Sequence, residues 1–465
     1  MVTFDQAASP GEMAPLQRSD VLKIFGGLSG VMLFFAGARR FTAKADHGAI
    51  AKDRGTEFAA FQRSYIVVYV VVMLADWLQG THMFTLYTEY AQTNPSVSVG
   101  TLFFTGFLAA GILGTFTGPL VDKYGRKRAC LVYVALEVTI NALEHVNRMS
   151  LLLLGRVLGG VSTSLLFSAF EAWYVTEHRR QGFPESWLSH TFGLCAVWNG
   201  VTAVAAGVLA QLAADVAGDI GPFQLAIALT VLAGVLMIPW RENFNNGEAA
   251  PRSSEPAQPS SLGAAWSAVS SNRALIIVGT VYALFEGAMY TFVFNWVPAC
   301  AGALGGFAQF APVQGLLFAC LMTAISIGGE LFTLATRRVS VETIGVAVFA
   351  ASSLCMATPV YCSLRGSGDT FTVLFTAFLG FEVCVGAFQP CIASLRSKYV
   401  PDALQSTVNN LFRCPLNMLV AAGTMLSDFF PLHIVFAICT AAHAAATLCQ
   451  LRLAMATPKA KVASD

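Results

Sequence analysis

The stretch Gly118-Pro-Leu-Val-Asp-Lys-Tyr-Gly-Arg-Lys-Arg128 lies between two strongly apolar runs, residues 98–120 and 129–146. It packs one aspartate and four cations into eleven residues. A charged side chain costs a few kcal/mol at the centre of a membrane helix. If the flanking runs cross a bilayer, this cluster has to lie at a membrane face. Gly-Arg-Lys-Arg alone would be a solvated basic turn. With Gly118, Asp122 and Gly125 set at short offsets from Arg126, Lys127 and Arg128, the stretch reads instead as a structured link between two spans.

Composition points the same way. Of the 465 residues, 55% are hydrophobic and 12% charged, and the mean hydropathy is +0.62. Soluble domains carry about 25% charged residues, and a soluble chain of this length could not cover its surface with half that complement. The expected class is an all-α polytopic membrane protein. A net charge of +1 gives no reason to expect nucleic acid. The phosphate-cradling Gly-x-x-x-x-Gly-Lys-Ser/Thr loop of an ATP-driven pump does not occur. The eleven cysteines are scattered without a CxxC pair and read as small packing residues. Neither a nucleophile nor a metal constellation is seen, so the expectation is no enzyme activity, no metal and no cofactor.

A spanning helix needs about 20 mostly apolar residues. Runs of that kind lie near 21–38, 64–88, 98–120, 129–146, 149–175, 190–214, 221–240, 273–299, 311–335, 341–362, 370–393, 406–427 and 430–452. The first is short, Gly-rich and carries Lys23, and is read as an extra amino-terminal helix rather than a removed segment. Alternating the intervening loops puts 22 of the 28 Lys and Arg residues on one side, which the positive-inside rule makes cytoplasmic. The Pro/Ser-rich stretch after Arg241 is the natural linker. The expected organisation is therefore an amino-terminal segment with its basic loop (1–63), a six-helix half (64–240), a linker (241–272), a second six-helix half (273–455) and a cytoplasmic tail (456–465). Gly328–Arg338 repeats Gly118–Arg128 in degraded form. Two halves related in this way place a substrate site at mid-membrane between them.

Ionisable side chains within the spans are the first candidates for function. Asp76, in Ala75-Asp-Trp-Leu-Gln-Gly80, falls near the midplane at about 1.5 Å per residue, and Gln79 shares its face. Glu286 falls at the equivalent depth in the first span of the second half. Either acid alone could be polar glue between helices. Their matched depth favours a place in the pathway, as protonation sites. Arg156 and Arg413 are the only Lys or Arg residues inside the core runs away from their ends. A guanidinium is a planar fork of donors suited to oxyanions, so the substrate is expected to be an anion, with a structural ion pair as the other reading of each arginine. Trp77, Trp198, Asn199, Asn409 and Asn410 lie at depths where they could complete an anion shell or bond between helices. Glu171, near the basic-loop end of its run, could neutralise the Asp122–Arg128 cluster or gate the inner mouth. Gly155-x-x-x-Gly159 and Gly114-x-x-x-Gly118 are read as helix-packing motifs, and His82 and His443 as packed residues with local hydrogen bonds.

The loop Gly118–Arg128 resembles the signature between the second and third helices of major facilitator superfamily transporters, Gly-x-Leu-x-Asp-(Arg/Lys)-aromatic-Gly-Arg-(Arg/Lys)-(Arg/Lys). Longer stretches resemble one branch of it: Ala75–Gly80, Gly155–Tyr174, Ala283–Glu286 and Asn410–Pro415 are similar to the eukaryotic molybdate-anion transporter family. The resemblance implies uptake of molybdate, a tetrahedral dianion, into the cell across the plasma membrane. The protein is expected to sit in the lipid bilayer and to work as a monomer. A dianion beside Asp76 and Glu286 would raise the carboxyl pKa values, which makes proton-coupled symport the expected mechanism. Asp122 and Arg126 are expected to act as a conformational latch. A facilitator for a sugar or organic anion, or a solute sensor that does not transport, are the alternatives.

Overall fold

A computed structural model describes residues 16–42, 55–244, 262–365, 370–400 and 405–456, and regular structure within them is entirely helical. Sixteen α-helices follow one another: α1 (Arg18–Thr42), α2 (Gly55–Thr93), α3 (Val99–Tyr124), α4 (Arg126–Leu143), α5 (Met149–Leu166), α6 (Ala169–Arg180), α7 (Ser186–Ala217), α8 (Gly221–Leu236), α9 (Leu262–Ser271), α10 (Arg273–Ala303), α11 (Phe307–Phe310), α12 (Gln314–Ala335), α13 (Val341–Arg365), α14 (Thr370–Tyr399), α15 (Gln405–Phe429) and α16 (Leu432–Ala456). All thirteen expected spans are helical, and α9 and α11 are short additions. The first fifteen residues, part of the basic loop, most of the linker and nearly all of the tail lie outside the described residues.

Some of the boundaries have a clear local cause. Ser98 caps α3 by accepting from Thr101 N at 3.3 Å, and Asn272 caps α10 by accepting from Ala274 N at 3.0 Å, satisfying amides that the first helical turn leaves open. Pro222 sits in the first turn of α8, where its missing N–H is not needed. The expected helix 149–175 is in fact two. After Leu166 the chain turns at Phe167 and Ser168, where the Ser168 hydroxyl donates to the Ser164 carbonyl at 2.6 Å. Such side-chain bonds offer the backbone an alternative to continued helix. Arg156 and Glu171 therefore lie on different helices.

Two compact units emerge. Among the described residues, one contains 39–42 and 55–244 with 312–319, and the other contains 16–38, 262–311, 320–365, 370–400 and 405–456. Within the first, α2 packs on α7 and α8, α3 on α5, and α4 on α5 and α8. Its core is aromatic: Trp173 stacks on Trp240 with ring centroids 3.7 Å apart, and Phe61 on Tyr174 at 4.9 Å. Within the second, α13 packs on α14 and α16, and α10 on α14, α15 and α16, around a stacked Phe285–Phe388 pair at 3.9 Å. Leu354, Met418, Val216 and Phe429 stand fully outward, as a lipid-facing surface requires. His82 bonds Thr81, and His443 bonds the Cys439 carbonyl.

The close crossing of α3 and α5 is not where the Gly155-x-x-x-Gly159 spacing puts it. A Cβ on Gly160 would lie 2.4 Å from Ala110 N, whereas one on Gly159 would meet nothing within 4 Å. Alanine in place of glycine favours a helix by about 1 kcal/mol where space allows, and overpacking costs about 1–3 kcal/mol. Gly159→Ala is thus expected to hold or raise the thermal unfolding midpoint in detergent, and Gly160→Ala to lower it. The two shifts should differ in sign.

Candidate functional site

The basic loop is built around a carboxylate that lies far from it in sequence. Gly125 ends α3 at φ 105°, a conformation that glycine alone adopts without strain, and starts α4. Its missing side chain leaves room for Glu242, whose carboxylate would lie 2.7 Å from an added Cβ. Glu242 accepts from the backbone amides of Lys127 at 2.8 Å and Arg128 at 3.0 Å. A carboxylate placed on the first amides of a helix satisfies orphan donors and meets the positive end of the helix dipole. Around it, Arg126 N donates to the Asn243 carbonyl at 3.1 Å, Lys127 Nζ to the Ile238 carbonyl at 2.7 Å, and Asn243 Nδ2 to the Trp173 carbonyl at 3.1 Å. The segment after α8, which composition assigns to the linker, is thereby fastened across the start of α4. Gly118 and Asp122 fall in α3, but their surroundings lie outside the described residues. Arg126 and Glu171 line one cavity of about 340 Å³ with Ser168, Thr176 and Arg179.

Deeper in the same unit, α4 presents a polar stripe that sequence reading missed. Glu137, Asn141 and Glu144 follow at four- and three-residue spacing, which puts them on one face. Glu137 is buried and accepts from Gln79 Nε2 at 2.8 Å, from Ser162 Oγ at 2.5 Å and, more distantly, from Asn141 Nδ2 at 3.4 Å. It is also the charged neighbour of Asp76. Glu144 holds Arg156: Nη2 lies 3.0 Å from Oε1, and Tyr87 donates to the same oxygen at 2.8 Å. Arg156 Nη1 also reaches Met83 Sδ at 3.0 Å. Of the two readings of Arg156, the geometry realises the ion pair, with Glu144 as the partner. Trp77 and Asn199 do meet, Trp77 Nε1 donating to Asn199 Oδ1 at 2.9 Å. Asn199 lines a second cavity, of about 500 Å³, with Tyr65, Tyr69, Phe170 and Glu171. Trp198 points outward beside Val197 and Val201.

The second unit arranges its charges differently. Glu286 is buried on α10, one helical turn from Tyr282 and one from Tyr290. Tyr282 and Gln389 reach its carboxylate, and Arg413 and Arg396 are the cations that act on it. Arg413 comes near because glycines line the α10–α15 contact: a Cβ on Gly279 would meet the Phe412 ring at 2.4 Å, and one on Gly287 would meet Leu419 Cβ at 2.9 Å. Arg413 itself is exposed. Asn409 and Asn410 belong to α15, but their side chains lie outside the described residues. Arg396, which apolarity places in a loop, belongs to α14, because that helix continues to Tyr399.

Twelve core spans in two six-helix halves, with ionisable clusters held at depth in each, define a secondary transporter of the major facilitator type. Residues 21–381 match a twelve-span family described as sugar transporters. The chain is 32% identical over 406 residues to a Xenopus laevis protein named molybdate-anion transporter, covering 85% of this chain and 86% of that one. A Danio rerio protein of the same name is 32% identical over 415 residues, 83% of each chain. Among solved structures, a nucleoside transporter (TM-score 0.65, 13% identity, 84% of this chain and 99% of that one) shares the fold. So does a bacterial homologue of the iron transporter ferroportin (TM-score 0.65, 13% identity, 85% and 98%). The chain belongs to the molybdate-anion transporter family of the major facilitator superfamily. It is a transporter, not an enzyme.

Glu242→Ala removes both amide acceptors at the start of α4. Loss of such a cap costs about 1–2 kcal/mol, so the unfolding midpoint in detergent should fall. Glu242→Gln, which keeps one acceptor, should fall less. Equal midpoints for Glu242→Ala and the wild type would show that the loop is held by other contacts.

Proposed function

We propose that this protein takes up molybdate into the cell across the plasma membrane by alternating access, with its basic loops and carboxyl terminus cytoplasmic, and that it works as a monomer. Two relatives that carry the molybdate-anion transporter name over more than four-fifths of this chain support the substrate. The observation that carries the reading is Arg413, an exposed guanidinium beside the buried Glu286, in a position to offer a fork of donors to an oxyanion. Uptake of labelled molybdate into vesicles reconstituted with the purified chain tests it directly. Arg413→Ala should lower uptake by at least about tenfold, the effect expected from losing a charged hydrogen-bond donor. Wild-type vesicles that take up no molybdate would sink the proposal.

Coupling to protons is part of the same reading. An acid beside a bound dianion is stabilised in its protonated form, so the anion and a proton would enter together at Asp76 or Glu286. Asp76→Asn should flatten the dependence of uptake on external pH, and an unchanged profile would remove Asp76 from the coupling. Asp122 and Arg126 are proposed as the latch, and unchanged transport rates in Asp122→Asn would remove Asp122 from it. The family's description as sugar transporters favours one other reading, a neutral solute in the aromatic-lined cavity around Asn199. Competition by sulfate but not by sugars separates the two.

A further inference from the structure

Arg396 sits three residues before the end of α14, where it first looks like one more basic residue at a membrane face. Its guanidinium instead lies over the Tyr282 ring, 5.2 Å from the centroid. Tyr282 is nine residues into α10, about 13 Å along the helix axis. Gln389 is seven residues before Arg396, two turns along the same face of α14. Helices α14 and α15 both pack on α10, so Arg396 and Gln389 come from one neighbour of that helix and Arg413 from another. All three act on Glu286. Arg413 and Gln389 are exposed and Arg396 is half-buried, while Tyr282 and Glu286 are buried. Glu286 Oε2 is buried with no hydrogen-bond partner among the described residues. A buried carboxylate oxygen without a donor is costly, and two guanidinium groups that carry more charge than Glu286 balances act on it electrostatically.

With Glu286 ionised the cluster carries one net positive charge, and with Glu286 protonated it carries two. A divalent anion is neutralised in full only by the second form. In the first half, by contrast, the one core arginine is already paired with Glu144.

We propose that Arg396 and Arg413 together form a two-cation seat for a tetrahedral divalent oxyanion, with Tyr282, Gln389 and Glu286 at its floor, and that Arg396 sets the preference for a double charge. This rests on the molybdate reading and adds the residue that selects by charge. A guanidinium held over a ring can still offer its N–H groups to an oxyanion. Glu286 limits the seat to a dianion accompanied by a proton.

Perrhenate is the probe, because it is a tetrahedral oxyanion close to molybdate and tungstate in size but carries a single charge. Ligand-induced stabilisation of the purified full chain in detergent gives the affinity for each ion. The wild type should bind molybdate and tungstate at least about tenfold more tightly than perrhenate, the scale of one charged hydrogen-bonding partner. Arg396→Gln should bring the three ions to within about threefold of one another, and Arg396→Lys, which keeps the charge, should retain most of the gap. Glu286→Gln should strengthen dianion binding and flatten its dependence on pH. An unchanged ratio in Arg396→Gln would overturn the proposal, whatever the variant does to total uptake. If the ratio collapses as expected while wild-type vesicles accumulate no molybdate, the seat stands and the transport reading fails.

Discussion

A carboxylate inside a lipid-embedded bundle has to be answered by donors within its own reach, because neither water nor lipid will answer it. That constraint organises this protein more than any single contact. Glu242 is answered by the first amides of α4, which fixes where the basic loop sits. Glu144 is answered by Arg156 and Tyr87, which ties α2, α4 and α5 together. Glu137 is answered by neutral groups alone, from Gln79, Ser162 and Asn141. Glu144 and Glu286 each keep one buried oxygen without a hydrogen-bond partner among the described residues, and what separates them is the charge around them. One guanidinium pairs with Glu144, whereas two act on Glu286. An acid matched by one cation holds helices together, while one beside excess positive charge has capacity for a ligand or a proton.

The glycines serve the same constraint from the other direction. Donors reach an acid only if helices approach closely, and α10 and α15 do so through Gly279 and Gly287. Substituting either would move the α15 backbone away from Glu286, and with it Arg413. Gly125 acts at the membrane face, where a side chain would displace the carboxylate that caps α4. In each case a residue with no chemistry of its own decides whether a charged pair forms.

Much of this was legible in the sequence. All thirteen apolar runs are helical, one of them as two helices, and the spacing of Gly118, Asp122, Gly125 and Arg126 marked the loop between two of them. Asp76, Glu286, Arg156 and Arg413 stood out because each interrupts an apolar run. Hydropathy hid three things for physical reasons. The break at Phe167–Ser168 is a local departure of the Ser168 backbone from helical geometry, which no apolar count registers. Glu137 and Glu144 lie in a run apolar enough to pass as packing, although their seven-residue spacing with Asn141 between them marks one polar face. Arg396 and Glu242 lie at the polar ends of spans, where a charge needs no explanation, and only tertiary packing shows that Arg396 turns inward and Glu242 back onto α4.

The two halves share a helical plan but not a charge plan, and the difference bears on function. In the first half a core arginine and a core glutamate cancel, and the remaining acids, Asp76 and Glu137, are near neighbours. In the second half two arginines face one glutamate. Anion binding and proton binding place opposite demands on a site: one needs excess positive charge, the other a carboxyl that can exist in both forms. A single symmetric pair of sites would meet both demands poorly. A duplicated fold whose halves have diverged in charge can hold an acid-rich cluster in one and a cation-rich cluster in the other. In such a fold Glu286 is the residue where the two demands meet, because it is a buried acid on which two guanidinium groups act.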